Sequence, residues 1–342
     1  ELLEKTPSSR PASAAAVSER IEAIRAAPNL PPAARPAPTP GQRTPQAFVG
    51  RTLELDKVHR AVDEALGGHG SLVMLAGEPG IGKTRLAQRA GEYAGLRGAQ
   101  MLLGQCHETE GGIPYQPFVE AMRQHVHDRP DDALRDELGS AGPVVARIVS
   151  EVTQRLPEIL PAPPGDPESD RQRLFDAVAT FLVNASKAAP LILVLDDLHW
   201  ADRPTLLLLQ HLSRRLEGSR LLVIGTYRDM ELDRQHPLSE SLATLRRDPG
   251  FERVLLRGLS AEDVLALFQA RAQGAQLGEG DQAAQLAAAV HRETEGNPFF
   301  IESVLQHLTE SGAIYERDGR WVADISIEEM GIPEGVRDAI GR

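Results

Sequence analysis

Little in this chain could staple it covalently or anchor it in a membrane. Of 342 residues only Cys106 is cysteine, so no internal disulfide and no cysteine-based zinc cluster can form. That usage suits a reducing compartment, and the cytoplasm is the expected location. No apolar run approaches the roughly 20 residues that a membrane-spanning helix needs, and no secretory pattern follows Glu1. Aromatic residues make up 4%. Positive charge is in deficit, with 37 Lys and Arg against 49 Asp and Glu and a net charge of −12. Such a surface is poorly suited to sequence-independent nucleic-acid binding, so neither a nucleic acid nor a membrane is an expected partner of this stretch.

What is plentiful is apolar content, 41%, in a chain long enough for one large domain or two ordinary ones. Residues 28–46 hold seven prolines and almost nothing that could pack, which reads as a stiff linker. Beyond it, short apolar runs alternate with helical patterns. Strands are expected at 71–77, 99–105, 191–196, 220–226 and 252–258. Helices are expected at 53–66, 83–95, 115–127, 131–139, 142–154, 170–187, 203–216 and 237–247. Continuous apolar strands separated by helices imply a parallel sheet covered on both faces, an α/β fold. After Gly258 the pattern turns helical, at 260–273, 281–294 and 298–311. A hairpin is expected at 313–323, turning at Asp318–Gly319, and a last helix near Pro333. Both ends read as cuts through a longer chain.

Two stretches carry chemistry. "GEPGIGKT" (77–84) sits between the first strand and a helix and matches G-x-x-x-x-G-K-[ST] in the required setting. Gly77, Gly80 and Gly82 let the backbone wrap closely, and Glu78, Pro79, Ile81 and Arg85 complete the loop and first turn. The helix N-terminus adds a favourable partial charge toward phosphate. Lys83 can reach the β- and γ-phosphates, and Thr84 can offer its hydroxyl to Mg²⁺. The other stretch, "LILVLDDLHWAD" (191–202), runs an apolar strand directly into two acids. Adjacent carboxylates repel each other, so a cation is expected beside them. Asp196, at the strand end, suits a Mg²⁺-side acid, and Asp197 can polarise the water that attacks the γ-phosphate. Asp202, ahead of "RPTLLLLQHL", reads as a helix cap. Cys106 and His107, adjacent in sequence, are too few for a metal site.

"FVGR" (48–51), the Gly-rich loop, "LVLDDLHWAD" (193–202), "GTYRDME" (225–231) and "GNPFF" (296–300) together resemble the signal-transduction ATPases with numerous domains, the STAND branch of AAA+ P-loop NTPases. The likeness is to the modules in large LuxR-type regulators and bacterial kinase–ATPase fusions. It implies a five-stranded P-loop core over 47–258. A helical lid, with the start of a winged-helix-like subdomain, would follow over 259–342. It also implies ATP or ADP with Mg²⁺, Val49 and Gly50 beside the adenine, Arg228 as a γ-phosphate sensor and Pro298 packing on the base. The catalytic set would be Lys83, Asp196, Asp197 and Arg228, with Thr84 and Asp196 toward the metal. Where many relatives have Glu, this chain has the shorter Asp197, which implies slow hydrolysis. His199 and Trp200 carry no chemistry in this reading.

Residues 2–17, "LLEKTPSSRPASAAAV", resemble the end of a protein-kinase catalytic domain, so 1–27 is expected to be a kinase remnant; an amphipathic helix with proline-containing flanks is the alternative. The functional expectation is an ATP-hydrolysing regulatory switch in a multidomain signalling protein, joined to a serine/threonine kinase. It would touch kinase and effector domains within its own chain and could oligomerise on activation. The alternatives are the ATPase module of a LuxR-type transcriptional regulator, or a nucleotide-binding scaffold without turnover.

Overall fold

The computed structural model describes residues 48–108, 114–233, 235–271, 276–277, 280–310, 314–317 and 320–323. The expected kinase remnant (1–27), the linker (28–46) and the helix near Pro333 lie outside them. The element order is α1 (Thr52–Leu66), β1 (Ser71–Ala76), α2 (Lys83–Gly95), β2 (Gln100–Gln105), α3 (Gln116–Asp128), α4 (Asp131–Leu138), α5 (Gly142–Val145), α6 (Glu151–Arg155), α7 (Pro167–Ala188) and β3 (Leu191–Asp196). Then come a 3₁₀ turn (Leu198–Trp200), α8 (Arg203–Ser213), β4 (Leu221–Tyr227), α9 (Pro237–Leu245) and β5 (Phe251–Leu255). A second group follows: α10 (Ala261–Arg271), β6 (Gln276–Leu277), α11 (Gly280–Thr294), α12 (Pro298–Glu310), β7 (Ile314–Arg317) and β8 (Arg320–Ala323).

β1 to β5 form one sheet in the order β2-β3-β4-β1-β5, and all four pairings are parallel. Every residue of β1, β3 and β4 is buried, as sheets covered on both faces require. Side chains alternate between two cores. Leu72, Met74, Leu193, Leu195 and Val223 face the layer built from α3, α7, α8 and α9. Val73, Leu75, Ile192, Val194 and Ile224 face α1 and α2. Because the strands are parallel, the loops that follow β1, β3 and β4 emerge at one edge of the sheet. Open α/β sheets place ligands at that edge.

β2 is an edge strand, and α3 lies along it. Gln124 and Glu120 accept hydrogen bonds from the free N–H groups of Leu103 (3.4 Å) and Gln105 (2.9 Å). That satisfies donors an open edge would offer to another strand. A Cβ on Gly104 would come within 1.8 Å of the Pro117 carbonyl oxygen, so only glycine admits the helix this closely.

Two expectations need correction. The segment 142–154 is not one helix; α5 and α6 are separate short pieces. Also, the chain after Gly258 is not strand-free before the hairpin, because β6 pairs in parallel with β8 while β7 and β8 pair antiparallel.

Candidate functional site

The Gly-rich loop leaves β1 and closes into α2. Gly80 and Gly82 have φ values of 75° and 100°, in the left-handed region that favours glycine. Gly80 is pressed from above: a Cβ there would meet Phe299 Cβ at 2.6 Å. Gly77 is buried, Glu78 and Pro79 are exposed, Ile81 is buried, and Arg85 is half-buried on the first turn of α2. The Lys83 ammonium donates to the carbonyls of Gly77 (3.0 Å) and Glu78 (2.8 Å), within its own loop. Burial pushes its pKa down, Asp197 opposes that, and Arg228 reinforces it.

Opposite the loop, β3 ends on Asp196, which is buried. The Thr84 hydroxyl lies 3.0 and 2.9 Å from its two oxygens, joining positions 112 apart in sequence. The Thr226 hydroxyl, at the end of β4, donates to Asp196 Oδ1 at 2.5 Å and accepts the Asp197 N–H at 2.9 Å. β4 lies between β1 and β3, so one side chain near its end can fix both acids. Burial raises the Asp196 pKa; the Thr226 hydrogen bond opposes this and neighbouring Asp197 adds to it. Asp197 itself adopts a left-handed backbone, φ 58°. Aspartate tolerates that region better than longer side chains do.

Arg228, just past β4, is held by Glu231 at 2.6 Å, with its guanidinium 5.9 Å from the Trp200 ring centroid. Asp202 caps α8 as expected, accepting the Thr205 N–H at 3.1 Å. Cys106 lies behind the acids, its N–H bonded to the Asp196 carbonyl at 3.0 Å. Burial, with Asp197 and Asp202 nearby, pushes its thiol pKa up to about 12, which disfavours the reactive thiolate. Among the described residues, no group of three or more His, Cys, Asp or Glu is placed to hold a metal by itself.

The residues expected at the site therefore divide. Lys83, Thr84, Asp196, Asp197 and Arg228 converge at one end of the sheet. Val49 and Gly50 lead into α1 on another side of the loop, with Gly50 against the Asp263 carboxylate of α10. Pro298 begins α12, one residue after the contact described next. Three contributors went unnoticed in the sequence. Thr226 reads there as an ordinary strand former. Arg51, next to Gly50, donates to the Ile81 carbonyl at 2.9 Å, tying "FVGR" to the phosphate loop. Asn297 is buried and donates to the Pro79 carbonyl at 2.9 Å. Each lies in a short motif, FVGR, GTYRDME or GNPFF, but its long-range partner is not legible from the sequence.

Residues 47–224 match the family described as an AAA ATPase domain, and residues 264–321 match one described as a domain of unknown function. An uncharacterized protein of Rhizobium meliloti (strain 1021) is 24% identical over 284 residues, which cover 77% of this chain and 25% of that protein. The chain thus spans about a quarter of the length of the curated relative it matches. Among solved structures, a STAND protein with a tetratricopeptide repeat sensor from Pyrococcus horikoshii is 17% identical. It covers 75% of this chain and 29% of its own, with a TM-score of 0.43. Thermotoga maritima RuvB is 15% identical, covers 85% of this chain and 70% of its own, and has a TM-score of 0.41.

Proposed function

The chain belongs to the AAA ATPase domain family, and from that premise we propose that it binds ATP with Mg²⁺ and hydrolyses it slowly, as a regulatory switch. One observation carries the proposal: Thr84 of the Gly-rich loop meets both oxygens of Asp196, which sets a hydroxyl and a carboxylate side by side where one Mg²⁺–triphosphate would face both. The donor set suits that ion. Mg²⁺ is commonly held by one or two carboxylates together with substrate phosphates, not by an all-protein cage. A buried ammonium and a buried carboxylate also both pay for desolvation in the free protein, and bound Mg²⁺–triphosphate offers each an opposite charge.

The protein's part in the reaction is positioning and charge. The backbone N–H groups of Gly80, Gly82, Lys83 and Thr84 face the phosphates, Pro79 having none to offer, and Lys83 exchanges two loop carbonyls for phosphate oxygens. Mg²⁺ would neutralise charge developing on the β- and γ-phosphate oxygens. Asp197 accepts a hydrogen bond from a water aligned with the γ-phosphorus. As the water oxygen bonds to phosphorus, the bond to the β,γ-bridging oxygen breaks, ADP leaves, and the water's proton passes through Asp197 to inorganic phosphate. Arg228 releases Glu231 and turns to the γ-phosphate, while Val49, Gly50 and Pro298 flank the base.

The larger assignment rests on motif order at 2–17 and on the relative's greater length: the module belongs to a multidomain signalling protein, coupled to a serine/threonine kinase and capable of oligomerising when active. Equilibrium binding and steady-state phosphate release test the central claim. Mg-ATP and Mg-ADP bind wild type, Lys83→Ala loses binding, and Asp197→Asn retains binding while turnover drops about 100-fold. A folded wild type that takes up neither nucleotide would falsify the reading.

A further inference from the structure

His199 lies in the 3₁₀ turn directly after the twin acids and is 4% exposed. Neither ring nitrogen has a hydrogen-bond partner among the described residues. Its Nδ1 is 3.8 Å from Asp197 Oδ1, and its Nε2 is 3.6 Å from Glu231 Oε2. Asp197 is in a complementary situation. Its N–H is fixed by Thr226, but its carboxylate has no hydrogen bond among the described residues. A buried imidazole and a carboxylate thus face each other just beyond bonding distance, although native proteins pair buried polar groups almost without exception. Burial, reinforced by Arg228, pushes the His199 pKa down to about 4. The neutral ring therefore has one N–H to give. Glu231 is 38% exposed and already carries Arg228, so water and that guanidinium satisfy it. Asp197 is 27% exposed in the free protein, and a bound triphosphate would shield it further. The more desolvated acid has the stronger claim on the proton.

We propose that His199 is a positioning residue: with ATP in place, its Nδ1–H closes on the Asp197 carboxylate and orients that acid toward the attacking water. This rests on the ATPase reading of the site. It gives His199 a role that the motif alone did not suggest, and it gives the unsatisfied ring beside the acids a partner. Catalytic hydrogen bonds are often long in the free enzyme and tighten with substrate.

The test uses His199→Phe, which keeps a ring without a donor; His199→Asn, which places a donor near Nδ1; and His199→Gln, which places one near Nε2. Melting temperature, ATP affinity, KM and kcat are measured for each, and kcat also for Asp197→Asn and for Asp197→Asn with His199→Phe. His199→Phe is expected to lower kcat about 10- to 100-fold with ATP affinity within about twofold. Asn is expected to recover kcat to within about fivefold of wild type, and Gln is not. The double variant should be no slower than Asp197→Asn alone. Wild-type kcat in His199→Phe, or a double variant slowed by the product of the single losses, overturns the proposal. If His199→Phe does not fold, equal kcat for Asn and Gln overturns it, and faster turnover by Asn supports it. A wild type that binds ATP without turnover removes both this role and the hydrolytic reading; a hydrolysing wild type with an indifferent His199 removes this role alone.

Discussion

Thr226 serves both acids with one hydroxyl, donating to Asp196 and accepting from the Asp197 N–H. Valine has the same shape without the hydroxyl, and would leave a partly buried N–H and a buried carboxylate oxygen each one partner short. Thr226→Val should cost about 2 kcal/mol in urea denaturation, and Thr226→Ser should recover most of it. A valine variant as stable as wild type would refute the role. Asp196 gives a pH test of opposite sign to most native carboxylates. Its pKa is raised in the folded state by burial, so the folded protein binds its proton more tightly than the unfolded chain does. The ionised group therefore destabilises the nucleotide-free fold as pH rises from its ordinary value through the raised one. Asp196→Asn should melt no lower than wild type in chelator at neutral pH, and its advantage should shrink as pH falls through that window. The acids were legible because two carboxylates after an apolar strand are anomalous in composition. Thr226 and His199 were not, because a threonine in a strand and a histidine in a turn are ordinary until their partners are known.

At the scale of elements, β3 and α2 fall at the residues expected from sequence, 191–196 and 83–95. Each has a sharp local signal: a continuous apolar run ending in acids for one, a glycine loop opening a helix for the other. The break between α5 and α6 had none. Val145, Val149 and Val152 are all buried at helical spacing, which mimics one amphipathic helix. β-Branched residues hold a helix weakly, and here packing settled the geometry, with Ala162 bonding back to the Pro143 carbonyl at 2.8 Å. α3 and α4 are joined by a polar cluster that was equally hidden. Glu137 accepts from His125 at 2.7 Å and from Arg129, while His125 also meets Gln100 of β2 at 3.1 Å. Burial alone would raise the Glu137 pKa, but the hydrogen bonds from His125 and Arg129 outweigh it and leave it lowered. A lowered carboxylate stabilises the fold above its unfolded value, and that stability is lost as pH falls through the folded value. Glu137→Gln should therefore cost about 3 kcal/mol at pH 7. The gap from wild type should narrow as pH falls from the ordinary carboxylate range through the lowered value; a gap independent of pH would mean the carboxylate's charge contributes nothing.

For the whole molecule, the proposed switch needs a route from the Gly-rich loop to the helices after Gly258. The change from strands to helices marked that division in the sequence; the contact across it was illegible, because it joins residues 218 positions apart. Asn297 faces both ways. Its Oδ1 accepts the Phe299 N–H at 3.1 Å at the start of α12, and its Nδ2 donates to the Pro79 carbonyl at 2.9 Å. Phe299 sits over Gly80, and the Gly296 carbonyl accepts from Leu259 N–H at 2.8 Å. The helical group thus grips the loop that would move as phosphate enters, and a nucleotide can shift the arrangement only by contacting the two states differently. Asn297→Ser separates the two contacts, since serine still caps a helix but is too short to reach Pro79. Hydrogen exchange on the full chain reads the outcome. In wild type, Mg-ATP should raise protection in 261–271 and 298–310. In Asn297→Ser, ATP affinity should stay within about tenfold, near 1.4 kcal/mol, while the protection gained by 298–310 should fall by about half or more. An undiminished response would remove Asn297 from the proposed route and leave Gly50 against Asp263 as the next contact to test.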